Sequence, residues 1–247
     1  MSEVDDDGLH NLTPIADCRL CPYRAKTLLA GRCVPGDVCV LVESGRQIDR
    51  FFRVNPELAI RYLDDRFWER RAIAVRYVPE KELGRKLNDS DEAVRRAVAY
   101  RLPKGQLINM VEDPDREVRI TVADRLPLDQ LELLANDNDY LVRAYVAQRL
   151  PSGRLFRLIC DPDRQVRKLI AQRLPEQSLG MMLSDSEAEV RRIVASRCQE
   201  DELMVLLEDE DWTVRLAAAE RAPLDTIESL MHDEDPEVRR VVQERLA

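Results

Sequence analysis

The order of apolar and polar residues repeats with a fixed 24-residue period along most of this chain. Its clearest mark is a valine followed by an arginine, which recurs without insertions at Val94, Val118, Val142, Val166, Val190, Val214 and Val238. A strict period of this length indicates stacked copies of one small structural unit. Eight such units run from residue 55 to residue 246 and leave only Ala247 over. The pattern therefore predicts a repeat domain over 55–247.

Each unit carries the signals of one α-helix of about ten residues. In the third unit, Asp113 is expected to cap the helix and Pro114 to occupy its first position. Val118, Val122 and Leu126 then follow at i, i+4 and i+8, which predicts one buried apolar stripe. The proline after this stripe ends the helix. The same scheme is predicted for the helices that start at Asp161 and Asp233.

The remainder of each unit is too short for a second full helix and two turns. In the segment 127–136, leucines fall at Leu128, Leu131 and Leu134, a spacing of three that suits a 3₁₀-helix. Leu131 and Ala135 also allow a short α-turn. Alternation with a period of two is absent, so no β-strands are expected.

The two terminal units depart from this pattern. The unit 55–78 has Arg70 where the others have valine, and half of the chain's aromatic residues fall between Phe51 and Tyr77. In the last unit, Gln243 occupies a position that otherwise holds small apolar residues. Because a terminal repeat lacks one neighbour, we interpret the first unit as a joint to the preceding segment and Gln243 as part of an exposed end.

Four cysteines are crowded ahead of the repeats, with the spacing Cys18-x2-Cys21-x11-Cys33-x5-Cys39. Residues 1–16 form an acidic leader, and residues 17–54 are interpreted as a cysteine module with its connector. Glycines and prolines among the cysteines predict loops. A segment this short cannot form its own hydrophobic core, so it requires another source of stability such as a metal centre. Four thiolates suit either structural zinc or an iron–sulfur cluster. The spacing alone leaves these two open.

The charges inside the module agree with an anionic centre. Between Cys18 and Cys39 the sequence contains one acidic residue, Asp37. It contains four basic residues: Arg19, Arg24, Lys26 and Arg32. Cationic partners stabilise thiolates and tune the reduction potential of a cluster.

Two further cysteines fall inside repeats and are not expected to bind metal. Cys198 occupies the position of Leu102, Leu126 and Leu150 in other units, so it is predicted to be a small core residue. Cys160 precedes a helix cap and is interpreted as an incidental thiol.

Composition excludes several classes of protein. The formal net charge of −9 and the sequence pI of about 5.0 argue against general affinity for nucleic acid, which requires a basic surface. The chain has no apolar run of the length that a membrane span needs, and its first residues are acidic rather than signal-like. A cytoplasmic protein with reduced thiols is therefore expected.

No motif of an enzyme is found. The two histidines, His10 and His232, lie in the leader and in a repeat loop, and neither a glycine-rich phosphate loop nor a nucleophile motif occurs. We therefore predict that the protein is not an enzyme.

Two rows of arginines are expected along the stacked helices. In the third unit they are represented by Arg119 and Arg125, which flank the apolar stripe on opposite edges. Such rows could bind phosphates or acidic partners. However, aspartates recur beside them in nearly every unit, so we predict that the arginines link neighbouring repeats.

The repeats resemble the leucine-rich repeat variant family. The resemblance rests on the 24-residue units with Leu-Pro, spaced leucines, Asp-x-Asp, Val-Arg and Val-Ala-x-Arg, and it covers residues 55–246. It implies an all-α, right-handed superhelical solenoid of alternating α- and 3₁₀-helices. The cysteine module looks like the iron–sulfur segment found in members of that family, which implies a [4Fe–4S] cluster with Cys18, Cys21, Cys33 and Cys39 as ligands.

The expected function is a repeat scaffold that presents the cluster to a protein partner for one-electron transfer or redox sensing. The resemblance also raises a nitrogen-fixation context. Three alternatives stay open at this point: a non-redox scaffold stapled by zinc, a solenoid that binds nucleic acid through its arginines, and an iron–sulfur enzyme with one open iron.

Overall fold

A computed structural model describes residues 13–247, in which helices and turns account for the regular structure. The acidic leader up to Leu12, including His10, lies outside the described residues. Eleven α-helices occur in the described part of the chain: α1 Gly45–Val54, α2 Trp68–Val75, α3 Glu92–Arg101, α4 Arg116–Arg125, α5 Tyr140–Arg149, α6 Arg164–Arg173, α7 Ala188–Ala195, α8 Glu200–Leu206, α9 Trp212–Ala219, α10 Leu224–Ile227 and α11 Pro236–Leu246.

Shorter 3₁₀-helices separate most of these α-helices. They span Pro56–Tyr62, Glu80–Lys86, Lys104–Met110, Leu131–Leu134, Ser152–Leu158, Glu176–Met182 and Glu228–His232. Between residues 13 and 247 the only β-type pairing is an isolated bridge between Val34 and Val38. The predicted all-α class and the alternation of α- and 3₁₀-helices are confirmed.

The chain divides into two compact units, 1–125 and 126–247. The first contains the cysteine module and α1 to α4, and the second contains α5 to α11. In both, the core is built from the same two repeat positions, one on the α-helix and one on the short helix that precedes it. The valines of the Val-Arg pairs have no exposed surface, and neither do Leu83, Leu107, Leu131, Leu155, Leu179, Leu203 and Ile227.

In two repeats the segment before the main α-helix is not purely a 3₁₀-helix. In the unit 199–222 the short segment is the α-helix α8, and in the last unit α10 precedes the 3₁₀-helix. The unit with α8 has Gln199 where most others have proline. The backbone N–H of Gln199 can therefore donate to the Glu202 carboxylate, at 3.2 Å. This contact favours an α-helical first turn.

The position predicted for the helix cap is wrong by two residues. In α4 the cap is Asp115, whose Oδ1 accepts from the backbone N–H groups of Glu117 and Val118 at 2.9 and 3.1 Å. Asp163 and Asp235 cap α6 and α11 in the same way. Asp113 instead accepts from the N–H of Asp115 and from a guanidinium group of the preceding repeat. Pro114 therefore precedes the cap, because the first carboxylate is already committed.

The first row of arginines clamps neighbouring repeats together, as predicted. Each guanidinium group donates at least two hydrogen bonds to an aspartate of the next repeat, with a closest N–O distance of 2.7 or 2.8 Å. The pairs are Arg71–Asp89, Arg95–Asp113, Arg143–Asp161, Arg167–Asp185, Arg191–Asp209 and Arg215–Asp233. Hydrogen bonds from these arginines to the aspartates raise the pKa of each guanidinium group. These nearly buried guanidinium groups do not form an outward basic surface.

The second row of arginines caps the C-terminal ends of α-helices. Arg221 donates to the carbonyl groups of Ala195 and Cys198 at 2.7 and 2.8 Å, both in the preceding repeat. Equivalent bonds to the helix of the preceding repeat are made by Arg101, Arg125, Arg173, Arg197 and Arg245. A cation at the negative end of a helix satisfies carbonyl groups that have no intrahelical donor. Both rows are therefore structural.

The aromatic residues near the first repeat form one contiguous cluster. The ring of Phe52 lies 5.8 Å from Phe51, 5.4 Å from Tyr62 and 6.1 Å from Tyr77, and Tyr23 of the cysteine module lies 6.0 Å from Phe51. The first repeat thus joins the module through packed rings, as the sequence indicated. At the other end of the chain, Gln243 is exposed.

Candidate iron–sulfur centre

The cysteine module is a series of turns rather than regular structure. Between Cys21 and Cys33 lie a π-helical turn, Arg24–Leu28, and a reversal at Gly31 with φ of 68°. Between Cys33 and Cys39, Gly36 has φ of 79°, and the backbone groups of Val34 and Val38 bond to each other. Glycine adopts this left-handed region without the penalty that other residues incur. These turns fold the chain back on itself between the cysteines.

The first two cysteines lie on one tight turn. The N–H of Cys21 donates to the carbonyl of Cys18 at 3.4 Å, and the N–H of Arg24 donates to the carbonyl of Cys21 at 3.2 Å. Cys18, Cys21 and Cys33 are half-buried, and Cys39 is buried. The module therefore keeps three thiols close to the surface and anchors the fourth in the core.

All four predicted ligands are electrostatic neighbours. The pKa of Cys33 is raised, first by burial and then by the charges of Cys39, Cys21 and Cys18. A hydrogen bond from Thr27 opposes this rise. The charges of the other three cysteines thus act on Cys33.

A single ion and a cluster of several irons require different separations of the four thiols. Among residues 13–247, no set of three or more His, Cys, Asp or Glu side chains is arranged to hold a single metal. Zinc bonds sulfur at about 2.3 Å, so a tetrahedral site holds its sulfurs within about 4 Å of one another. A cluster of several irons separates its thiolates more widely than one zinc ion does.

Helix α1 holds the module in place through buried polar side chains. The N–H of Cys39 donates to the carbonyl of Gln47 at 3.3 Å, and Gln47 Nε2 donates to the carbonyl of Pro14 at 2.9 Å. Asn55, just after α1, donates from Nδ2 to the carbonyl of Arg32 at 2.9 Å. Gln47 and Asn55 have no exposed surface. Neither residue could be predicted from the sequence, because a single polar residue on a helix face has no periodic signature.

The basic residues of the module fall into two groups. Arg19 pairs with Asp17, and Arg32 pairs with Glu57, each at 2.9 Å. Arg24 and Lys26 are exposed, and the structure records no ion pair for either among the residues it describes. Large apolar side chains lie among them at Leu20, Leu29 and Val34, which are 82, 79 and 48% exposed. The module therefore exposes both apolar and cationic side chains.

The remaining candidate residues lie apart from this site. Cys198 is buried in the second unit, and burial raises the pKa of its thiol, so its predicted role in the core is confirmed. Cys160 is an exposed thiol, as expected. His232 ends the last 3₁₀-helix.

Comparisons with known proteins agree with both parts of the chain. Residues 14–61 match the family model of the leucine-rich repeat variant protein FeS4 cluster. Residues 116–139, 140–163 and 212–235 match the leucine-rich repeat variant model. A solved leucine-rich repeat variant, described as having a novel repetitive structural motif, is 66% identical, with a TM-score of 0.90 over 95% of this chain and 100% of that one.

A curated relative from Rhodobacter capsulatus is named an uncharacterized 27.7 kDa protein in the nifB 3′ region. It is 37% identical over 87 residues, and the match spans 35% of either chain.

The fold and the four-thiol module define an iron–sulfur repeat protein. The chain belongs to the leucine-rich repeat variant family. Its repeat architecture is that of a scaffold rather than of an enzyme. None of the helices between residues 13 and 247 has both the length and the apolar character needed to cross a membrane.

Proposed function

We propose that Cys18, Cys21, Cys33 and Cys39 ligate a [4Fe–4S] cluster and that the protein exchanges single electrons with a docked protein partner. The observation that supports this most is that the charges of Cys18, Cys21 and Cys39 act on Cys33, in a series of turns that leaves three of the four thiols half-buried. When bound, such a cluster supplies one-electron chemistry at a potential that its surroundings set.

Loading of the site would be coupled to deprotonation of its thiols. Burial and three neighbouring thiols raise the pKa of Cys33, so an empty site disfavours the thiolate form. Bound iron stabilises that thiolate and removes the mutual repulsion of the four ligands. Metal loading should therefore stabilise the module and release protons.

Other residues of the module would tune and shield the site. Thr27 is buried, and its hydroxyl donates to the carbonyl of Tyr23 at 3.0 Å while also lying near Cys33. The exposed cations Arg24 and Lys26 offset the negative charge that four thiolates bring. Thr27, Arg24 and Lys26 would therefore stabilise the negative charge of the thiolates without taking part in any change of bonding.

A protein partner suits the surface over the site. The module exposes the apolar side chains of Leu20, Leu29 and Val34 together with the cations Arg24 and Lys26, and this combination suits a small, transient interface with an acidic protein. The name of the curated relative places that protein beside nifB, which supports a nitrogen-fixation context for this chain. Cluster thiolates need a reducing compartment, so we place the protein in the cytoplasm.

The proposal is tested by purification without oxygen, followed by assay of iron, sulfide and zinc. About four irons and four sulfides per chain, with a broad absorption band near 400 nm that dithionite bleaches, are expected. Bound iron that resists reduction and reoxidation would refute electron transfer.

One alternative function is tested by the same assay. A zinc staple would make the module a purely structural end to the repeats, and four cysteines are chemically sufficient for it. One zinc per chain with no sulfide would establish this alternative and exclude the redox proposal.

A further inference from the structure

A pocket recurs at the same repeat positions where neighbouring repeats meet. In the second unit, one pocket of about 390 Å³ is lined by Met181, and the next, of about 440 Å³, is lined by Val205, 24 residues further along the chain. A pocket of about 330 Å³ in the first unit has Asn109 at this position. We call them the methionine, valine and asparagine pockets. Because they follow the repeat period, successive pockets offer a ligand equivalent contacts in successive repeats.

Each of these pockets is lined by one of the ion pairs that join neighbouring repeats. The pair is Arg167–Asp185 in the methionine pocket and Arg191–Asp209 in the valine pocket, with N–O distances of 2.8 and 2.7 Å. The four side chains are at most 11% exposed. Because each guanidinium group is held by a carboxylate, the pairs fix the shape of the pockets and leave ligand contacts to the exposed residues.

The exposed residues at the two pockets of the second unit are apolar. Met181 and Val205 are 58 and 61% exposed, and Met204, which precedes Val205 on α8, is 47% exposed. The asparagine pocket presents the polar side chain of Asn109 at the same position. Exposed apolar side chains in adjacent repeats are typical of a docking surface, and the flexible methionine side chain adapts to ligands of different shape.

The segments that carry these apolar residues are acidic. Segments 175–184 and 199–208 contain no lysine or arginine, and their acids are Glu176, Glu200, Asp201, Glu202 and Glu208. Glu208 is exposed, and Glu210, which lines the valine pocket, has a side chain that is 89% exposed. The two apolar pockets therefore have negatively charged surroundings, which attract a cationic ligand and repel an acidic one.

The distance between successive repeats favours one conformation of the ligand. Helix α6 packs against α7, and α7 packs against α9; helices packed in this way lie about 8–10 Å apart. A polyproline II segment has three residues per turn and rises about 3.1 Å per residue, so side chains three positions apart lie on one side at an interval of about 9 Å. Side chains on one face of a β-strand repeat at about 6.7 Å, which does not match. An α-helix presents one face at a similar interval only at about every seventh residue.

We propose that the methionine and valine pockets bind an extended segment of a partner protein that has large apolar residues three positions apart and lysine or arginine between them. The apolar side chains enter the two pockets, and the cations lie beside exposed acids such as Glu208 and Glu210. A polyproline II segment is extended before it binds, so it loses little conformational entropy. The contact uses no residue of the cysteine module and does not depend on the proposed electron transfer.

The test uses the full chain and a fluorescently labelled synthetic peptide, (Leu-Pro-Lys)₃, whose binding is followed by fluorescence anisotropy. Leucine and lysine supply the two proposed contacts, and proline prevents the peptide from forming an α-helix. Saturable binding that weakens as the salt concentration rises is expected. The peptides (Leu-Pro-Glu)₃, which inverts the charge, and (Ala-Pro-Lys)₃, which removes the large apolar groups, should each bind at least about tenfold more weakly.

Because the residues at the pockets are exposed, they can be replaced without disturbing the core. Met181→Ser combined with Val205→Ser should weaken binding of (Leu-Pro-Lys)₃ at least about tenfold. Glu208→Gln combined with Glu210→Gln should weaken it and reduce its dependence on salt. Asn109→Ser, at the same repeat position in the first unit, is the matched control and should leave the affinity unchanged. Circular dichroism verifies that each variant is folded.

Cys160 reports where the peptide binds, because this exposed thiol lines the methionine pocket. At a peptide concentration of about ten times Kd, alkylation of Cys160 should slow roughly tenfold, as measured by mass spectrometry of the digested protein. Asn88 has the equivalent position in the asparagine pocket, so Asn88→Cys supplies a control thiol whose alkylation should not slow. Absence of saturable binding, equal binding of the three peptides, or equal protection of the two thiols would overturn the proposal.

Discussion

The buried Arg–Asp ion pairs between neighbouring repeats should stabilise the folded protein. Conversion of one of these carboxylates to an amide in the second unit should therefore lower the free energy of unfolding substantially. Arg143 donates to Asp161 from Nε at 2.8 Å and from Nη2 at 2.9 Å, and its Nη1 donates to the carbonyl of Asp137 at 2.7 Å. The side chains of Arg143 and Asp161 are 9 and 2% exposed. Replacement of Asp161 by asparagine keeps the volume and the acceptor for the N–H of Asp163. It removes the charge that balances the buried guanidinium group.

The expected loss follows from the burial of the pair. Removal of one partner of a buried ion pair costs about 3–5 kcal/mol, because the other charge stays buried without compensation. Asparagine retains one acceptor, so we expect about 3 kcal/mol for Asp161→Asn. For a chain of this size, that loss lowers the melting temperature by roughly 6–12 °C. Urea unfolding followed by circular dichroism measures it directly.

An exposed pair in the same unit serves as the control. Lys168 and Glu189 also bridge neighbouring repeats, at 2.7 Å, but their side chains are 25 and 55% exposed. Glu189→Gln should leave the unfolding midpoint unchanged, since water already solvates both charges. In the double variant Arg143→Met with Asp161→Leu, the free energy of unfolding should fall by less than the sum of the decreases in the two single variants. If Asp161→Asn lowers the free energy of unfolding no more than Glu189→Gln does, the buried Arg–Asp pairs do not stabilise the stacked repeats.

Three further results are expected. Arg215 lowers the pKa of Asp233 through hydrogen bonds, so the stability that Asp233 contributes should be complete above about pH 4 and be lost as pH falls further. In urea titrations, Asp233→Asn should therefore differ from the parent at pH 7 and converge with it in acid. Arg221→Met should lower the free energy of unfolding by about 2 kcal/mol, because two helix carbonyls lose a charged donor. A thiol reagent should modify exposed Cys160 in the folded protein and reach buried Cys198 only after unfolding; equal rates at the two thiols would contradict the packing of the second unit.

The repeat fold could be predicted from sequence because its signals are periodic. A valine that recurs at one fixed interval without insertion can only be explained by stacked units, and leucines at a spacing of three indicated the 3₁₀-helices. The arginine links were also predicted, since aspartates recur beside them. The helix cap was misplaced by two residues because Asp113 and Asp115 are both competent caps. The choice between them depends on Arg95, which the fold brings from the preceding repeat.

The candidate site could be predicted only in part. Four cysteines within a short segment indicate a metal centre. Their spacing, however, does not distinguish a zinc site from an iron–sulfur cluster. Gln47 and Asn55, which tie the module to α1, were missed, because their role depends on carbonyl groups of distant loops.

Cys18, Cys21, Cys33 and Cys39 are the four residues that we propose to hold the iron–sulfur centre. The most direct measurement is the iron and sulfide content of single Cys→Ser variants purified without oxygen, with circular dichroism to verify that the repeats remain folded. Changes at Cys18, Cys21, Cys33 or Cys39 should each abolish or sharply reduce both iron and sulfide, while Cys160→Ser should retain the full amount. Full iron and sulfide after loss of any one of the four, in a folded protein, would contradict the assignment.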